Sequence, residues 1–179
     1  MKIRKPNRLK NYDYSNSGWY YITICTKDPK KYFGRIENGK MVLNRIGNIV
    51  DEFWNKIETL HQNIDLDYYV IMPNHIHGII IINDVLKGQP QLKYKNVGNA
   101  KFAFPTDRTK MELSKLIQQF KRAVSLRVMT INPNSIFKWQ HSFYDRIIRN
   151  EKELYNIRKY IKQNPFKWEL EKDIINLNL

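Results

Sequence analysis

The run His75-Ile76-His77-Gly78-Ile79-Ile80-Ile81-Ile82 constrains the fold more than any other stretch. A strand sends alternate side chains to opposite faces. Four consecutive isoleucines put apolar groups on both faces, so such a strand has to be central and covered on each side. Just upstream, residues 66–72 read as another strand and Pro73-Asn74 as a turn or kink. That gap is too short for a helical crossover, so the two strands pair antiparallel.

The rest of the chain supplies partners for this pair. Residues 19–26 are aromatic and β-branched, a strand signal. Residues 32–42 read as a short hairpin turning at Asn38-Gly39. Ile46, Ile49, Val50, Phe53, Ile57 and Leu60 fall at helical spacing, which predicts a helix over 45–61 capped by Asn44. A second helix is predicted over about 110–130, with Leu113, Leu116, Ile117, Phe120, Val124 and Val128 as its buried stripe. Residues 143–149 read as a further strand. Asn150, with Glu153 three positions on, caps a third helix expected to end near Gln163, before Pro165. Residues 83–108, with Gly88, Pro90, Gly98 and Pro105, read as a long mobile loop. The order predicts an α+β fold, with helices packed on a mainly antiparallel sheet. The 179 residues are expected to form one domain, preceded by a basic arm over 1–18.

Charge narrows the partners. The chain carries a formal net charge of +14 and a sequence pI of about 9.8. A chain this basic is expected to meet a polyanion, with nucleic acid ahead of a membrane surface because no segment has an interfacial amphipathic pattern. Phosphate contacts are expected from Arg4, Lys5, Arg8 and Lys10 of the arm, from Lys87, Lys93, Lys95 and Lys101 of the loop, and from Lys121 and Arg122 of the second helix. The single cysteine, Cys25, excludes an internal disulfide and a thiolate zinc cage, and fits a reducing compartment. No apolar run follows Met1 or approaches the roughly 18 residues that span a bilayer, so a cytoplasmic protein is expected.

Two patterns carry chemistry. His75 and His77 are two apart on a strand, so their rings share one face at a spacing fit for one divalent ion. Alone, such a pair is as well explained by two satisfied polar side chains at a strand start. With no cysteine cluster to close the shell, an ion there would keep open positions, as catalytic sites do. Imidazole completed by oxygen ligands suits Mg²⁺ or Mn²⁺, with zinc as the alternative. On the third helix, Tyr160 and Asn164 lie about 40° apart on one flank of the Leu154, Ile157 and Ile161 stripe. A tyrosine beside a metal can attack phosphorus, and the Asn164 amide oxygen can serve as a third ligand. Tyr155 lies about 140° around the helix from Tyr160, and Tyr144 precedes the helix, so neither shares that flank.

These residues resemble a known family. Residues 69–82 look like the histidine-hydrophobe-histidine signature of single-tyrosine HUH transposases of the IS200-like group, most closely the REP-associated tyrosine transposases. The segment Trp139-Gln140 through Phe143 to Glu151 and the stretch Tyr160-Ile161-Lys162-Gln163-Asn164-Pro165 resemble the family's tyrosine region. Tyr12-Asp13-Tyr14-Ser15, Phe33-Gly34 and Leu43-Asn44 with Gly47 extend the likeness over about residues 4–170.

The resemblance implies a ferredoxin-like sheet of the RRM type. It implies cleavage and rejoining of single-stranded DNA beside a hairpin, through a 5′-phosphotyrosine and a free 3′-hydroxyl. His75 and His77 become metal ligands and Tyr160 the nucleophile, with a third ligand from Asn164 or the neighbouring Gln163. It also implies a prokaryotic, nucleoid-associated protein working as a monomer or homodimer, with a tyrosine helix able to swing away from the histidines. Two readings compete: a catalytically silent or domesticated hairpin-DNA-binding protein, and an RNA-binding module of similar sheet order.

Overall fold

The computed structural model describes residues 17–83 and 112–177, with side chains as far as residue 171. Most of the basic arm and the loop after residue 83, with Arg4, Lys5, Arg8, Lys10, Lys87, Lys93, Lys95 and Lys101, lie outside the described residues. The elements run β1 (Gly18–Cys25), β2 (Gly34–Glu37), β3 (Lys40–Leu43), α1 (Arg45–Leu60), β4 (Ile64–Met72), β5 (His75–Ile82), α2 (Glu112–Ile131), β6 (Tyr144–Ile148) and α3 (Glu151–Leu177). Four strands form one sheet in the order β4-β5-β1-β6, and every neighbouring pair is antiparallel. Set aside the β2–β3 hairpin, and the order is the split βαββαβ of the ferredoxin-like fold with α3 appended. No helix among the described residues is long and apolar enough to cross a membrane.

The isoleucine run does what its pattern demands. Ile76, Ile80 and Ile82 join Tyr20, Ile22 and Ile24 of β1 in one core against α1 and α2. Ile79 turns to the opposite face and packs with Ile148, Leu154, Ile157 and Ile161 under α3. The sheet is thus covered on both sides, and β5 lies between β4 and β1. Gly78 is required where Trp54 of α1 crosses this strand, because an added Cβ would meet the indole Cζ2 at 2.4 Å.

Local signals set the ends of the elements. Asn44 caps α1, its side chain accepting from the Gly47 N–H at 2.9 Å. Asn150 accepts from the Glu153 N–H at 2.9 Å, and the Glu153 carboxylate reaches back to the Arg149 N–H at 3.0 Å. Asn38 and Gly39 both have positive φ (52° and 69°), as a tight hairpin turn with right-handed strands needs. β4 starts two residues earlier than its pattern predicts, with an irregularity between Leu66 and Tyr69.

The third helix differs most from expectation: it does not end before Pro165 but runs through it to Leu177. Proline there removes a donor for the Ile161 carbonyl and strains the preceding turn. Tertiary contacts beyond it offset that cost. The Gly39 N–H donates to the Glu169 carboxylate at 2.5 Å, and Phe166 packs against Gly39. The Trp168 ring lies 5.7 Å from that of His75. The hairpin tip therefore docks on the part of α3 that a local reading discards.

Candidate active site

β5 carries His75 and His77 on the face that α3 covers. In register, Cys25 and Met72 flank His75, and Thr23 and Val70 flank His77. The two Nε2 atoms converge at 3.1 Å. His75 Nδ1 lies 2.7 Å from the Asn74 side-chain oxygen, and the Asn74 amide nitrogen donates to the Pro29 carbonyl at 3.2 Å. His77 Nδ1 is 2.7 Å from the Tyr21 hydroxyl and 2.9 Å from that of Thr23. The Tyr21 ring stacks on His77 at 5.6 Å between centroids. Burial pushes His75 down to about 4 and His77 to about 3, the latter helped by its neighbour. Both rings are therefore neutral at pH 7 and keep a lone pair for a ligand.

α3 brings Tyr160 to this pair. Leu154, Ile157 and Ile161 seat the helix on Ile79 and Ile148. Arg158 ties it to β4 by donating to Asp67 at 2.8 Å, with its guanidinium 5.9 Å from the Trp19 ring and 5.4 Å from that of Tyr68. The Tyr160 ring stands 5.3 Å from His77 and meets Tyr21 edge-on at 6.3 Å. It is 41% exposed. The Lys167 ammonium lies 5.7 Å from the same ring. Tyr144 and Tyr155 are exposed and make no ring contact with either histidine. One turn on, Asn164 is buried to 8% exposure, whereas Gln163 faces solvent.

The residues fit a divalent ion. Two nitrogens bound side by side to one ion at about 2.1 Å sit about 3 Å apart, which matches the Nε2 separation. Among the described residues no third His, Cys, Asp or Glu joins the pair, so the donor set is an open one. Oxygen from an amide, a phosphate or water would complete it.

Lys121, one of the expected phosphate contacts, has partners within the fold. The Lys121 ammonium donates to the Gln140 and Ser142 carbonyls at 3.0 and 2.9 Å, and burial pushes it down to about 8. These two bonds pin the segment before β6. Arg122 is exposed. The residues that sequence reasoning missed are Tyr21, Thr23, Asn74 and Trp168. Alternation along β1 placed Tyr21 and Thr23 on one face, but only the register with β5 puts them against His77.

No family model matches the chain. It is 37% identical over 166 residues to an uncharacterized protein of Haemophilus influenzae strain Rd, spanning 93% of this chain and 90% of that protein. A solved structure of a REP-associated tyrosine transposase bound to a REP hairpin superposes with a TM-score of 0.56 at 16% identity. That match covers 93% of this chain and 74% of the other. The chain therefore belongs to one family with the Haemophilus influenzae protein, and its fold is that of an IS200/REP-type tyrosine transposase.

Proposed function

We propose that this protein is a metal-dependent single-stranded DNA endonuclease and strand transferase, acting next to DNA hairpins through a 5′-phosphotyrosine on Tyr160. The observation that carries this reading is the convergence of three groups from two distant elements. The Nε2 atoms of His75 and His77 lie 3.1 Å apart, and the Tyr160 ring stands 5.3 Å from His77. The fold neighbour was solved with a REP hairpin bound, which supports hairpin DNA as the substrate class. The net charge of +14 supports a polyanion.

Each group has a task in this scheme. His75, His77 and the Asn164 amide would hold Mg²⁺ or Mn²⁺, which when bound polarises the scissile phosphate and offsets its developing charge. Tyr160 Oη attacks phosphorus, forming the Oη–P bond as the P–O3′ bond breaks. The phenol gives up its proton, and the departing 3′ oxygen takes one. Lys167 supplies positive charge beside the phenolate that develops. A 3′-hydroxyl attacking the phosphotyrosine reverses the step without ATP. The α3 anchors Arg158–Asp67 and Leu154, Ile157 and Ile161 hold the nucleophile in place.

The test uses a single-stranded oligonucleotide with a hairpin and a 3′ label. Labelled protein stable to SDS is expected with Mg²⁺ or Mn²⁺ and not in EDTA. Tight hairpin binding with neither adduct nor cut product would instead identify a silent DNA-binding protein. Stronger competition by RNA hairpins than by DNA hairpins would point to an RNA module.

A further inference from the structure

We propose that Tyr21 and Thr23 form a two-hydroxyl switch, which lets His77 carry its ring proton on either nitrogen. The His75–His77 pair is then joined by one hydrogen bond when stripped of metal and by one divalent ion when loaded. This rests on the reading of the two histidines as metal ligands.

The proton on His75 is fixed by its neighbours. The Asn74 amide nitrogen donates to the Pro29 carbonyl at 3.2 Å, so the amide oxygen is the atom turned to His75. That oxygen only accepts, so His75 carries its proton on Nδ1 and leaves Nε2 bare. His77 faces that bare nitrogen with its own Nε2 at 3.1 Å. With its proton on Nε2, His77 donates to His75, and its Nδ1 then needs a donor. The hydroxyls of Tyr21 and Thr23, at 2.7 and 2.9 Å, can supply one. Binding one ion at both Nε2 atoms requires the opposite arrangement. The His77 proton must then sit on Nδ1, and the same hydroxyls turn and accept.

A carboxylate or a carbonyl at this place would accept only and would hold one tautomer. A hydroxyl does both, because its hydrogen rotates. The ring stays neutral throughout: Nε2 gives one proton to solvent and Nδ1 takes one from it. Tyr21 also meets the Tyr160 ring edge-on, so the residue that answers the tautomer touches the proposed nucleophile.

The experiment uses the full chain with ¹⁵N-labelled histidine and long-range ¹H–¹⁵N correlation at pH 7. After EDTA, His75 is expected as the Nδ1–H tautomer and His77 as Nε2–H. Saturation with Mg²⁺, which is diamagnetic, should move His77 to Nδ1–H. In the Tyr21→Phe/Thr23→Val double variant the stripped tautomer should persist, while Mn²⁺ affinity by calorimetry falls about 10- to 100-fold. Restoring one hydroxyl, as Tyr21→Phe/Thr23→Ser, should recover most of it. Mn²⁺ affinity unchanged in the double variant overturns the proposal, as does a stripped wild type with His77 already Nδ1–H. If the double variant fails to fold, the wild-type tautomers decide alone. A wild type that takes up no divalent ion contradicts the metal-site reading, whereas one that binds it with a constant His77 tautomer overturns the switch alone.

Discussion

His77 is 6% exposed, held between Tyr21 and Tyr160, so it is more than a polar group at a strand start. Removing it to Ala takes away packing as well as a ligand, and a loss of cleavage has to be read beside a stability measurement. The burial of both rings sets a pH dependence. Each has a folded-state value below the ordinary value of about 6.5, so the unfolded chain binds protons first as pH falls. Stability is then full above about pH 6.5 and declines as pH falls, toward about 4 for His75 and about 3 for His77. Urea unfolding of the EDTA-treated protein at pH 7 and pH 5 should show a loss on the order of 1 kcal/mol per ring. A His75→Asn/His77→Asn variant should flatten that profile, and an equal slope in the variant would contradict the assignment. Lys121 gives a contrasting case. Lys121→Met keeps the apolar stem but leaves two carbonyls without a donor, and is expected to cost about 1–3 kcal/mol by urea unfolding. The salt slope of DNA binding should not move, because this ammonium serves the fold.

At the scale of elements, β5 works because its two faces do different things. One face inserts Ile76 and Ile80 into the α1–α2 core, and the other presents His75 and His77 to α3. Gly78 lets Trp54 lie directly on the strand, at the residue next to His77. Gly78→Ala forces the indole or the strand to move, and should cost about 1–3 kcal/mol in unfolding experiments. Wild-type stability in that variant would mean that the close crossing of α1 over β5 is not required. α3 works through contacts that are distant in sequence. Its first half is legible from the Leu154, Ile157 and Ile161 spacing. Its second half is not, because Pro165 is a local stop signal that the hairpin and His75 contacts override.

Across the whole molecule, the charge of +14 predicts how binding responds to salt. Affinity for a single-stranded oligonucleotide should fall steeply with salt, with a log–log slope of about −0.7 for each phosphate neutralised. Affinity that barely changes from low to moderate salt would contradict an electrostatic interface. Much of the fold was legible because local patterns and global order agree. The isoleucine run fixed a central strand, the short Pro73-Asn74 link fixed an antiparallel pair, and Asn44 and Asn150 marked helix starts. The His75–His77 pair and Tyr160 were legible as candidates by spacing alone. The supporting shell was not. Tyr21 and Thr23 meet His77 only through a cross-strand register that spans more than fifty residues, and no local periodicity encodes a register of that reach. Asn74 could be read only as part of a turn until its amide was seen between Pro29 and His75.

The central claim is that Tyr160 becomes covalently joined to DNA, and mass mapping of the adduct tests it most directly. The protein is incubated with a 3′-labelled strand carrying a hairpin and a divalent ion, digested, and the nucleotide-bearing peptide sequenced, with Tyr160→Phe treated in parallel. The account predicts the modification on Tyr160, and a Tyr160→Phe protein that binds the hairpin with normal affinity yet forms no adduct and cuts nothing. A modification on Tyr144, Tyr155 or Tyr21, or undiminished cleavage by Tyr160→Phe, would contradict it.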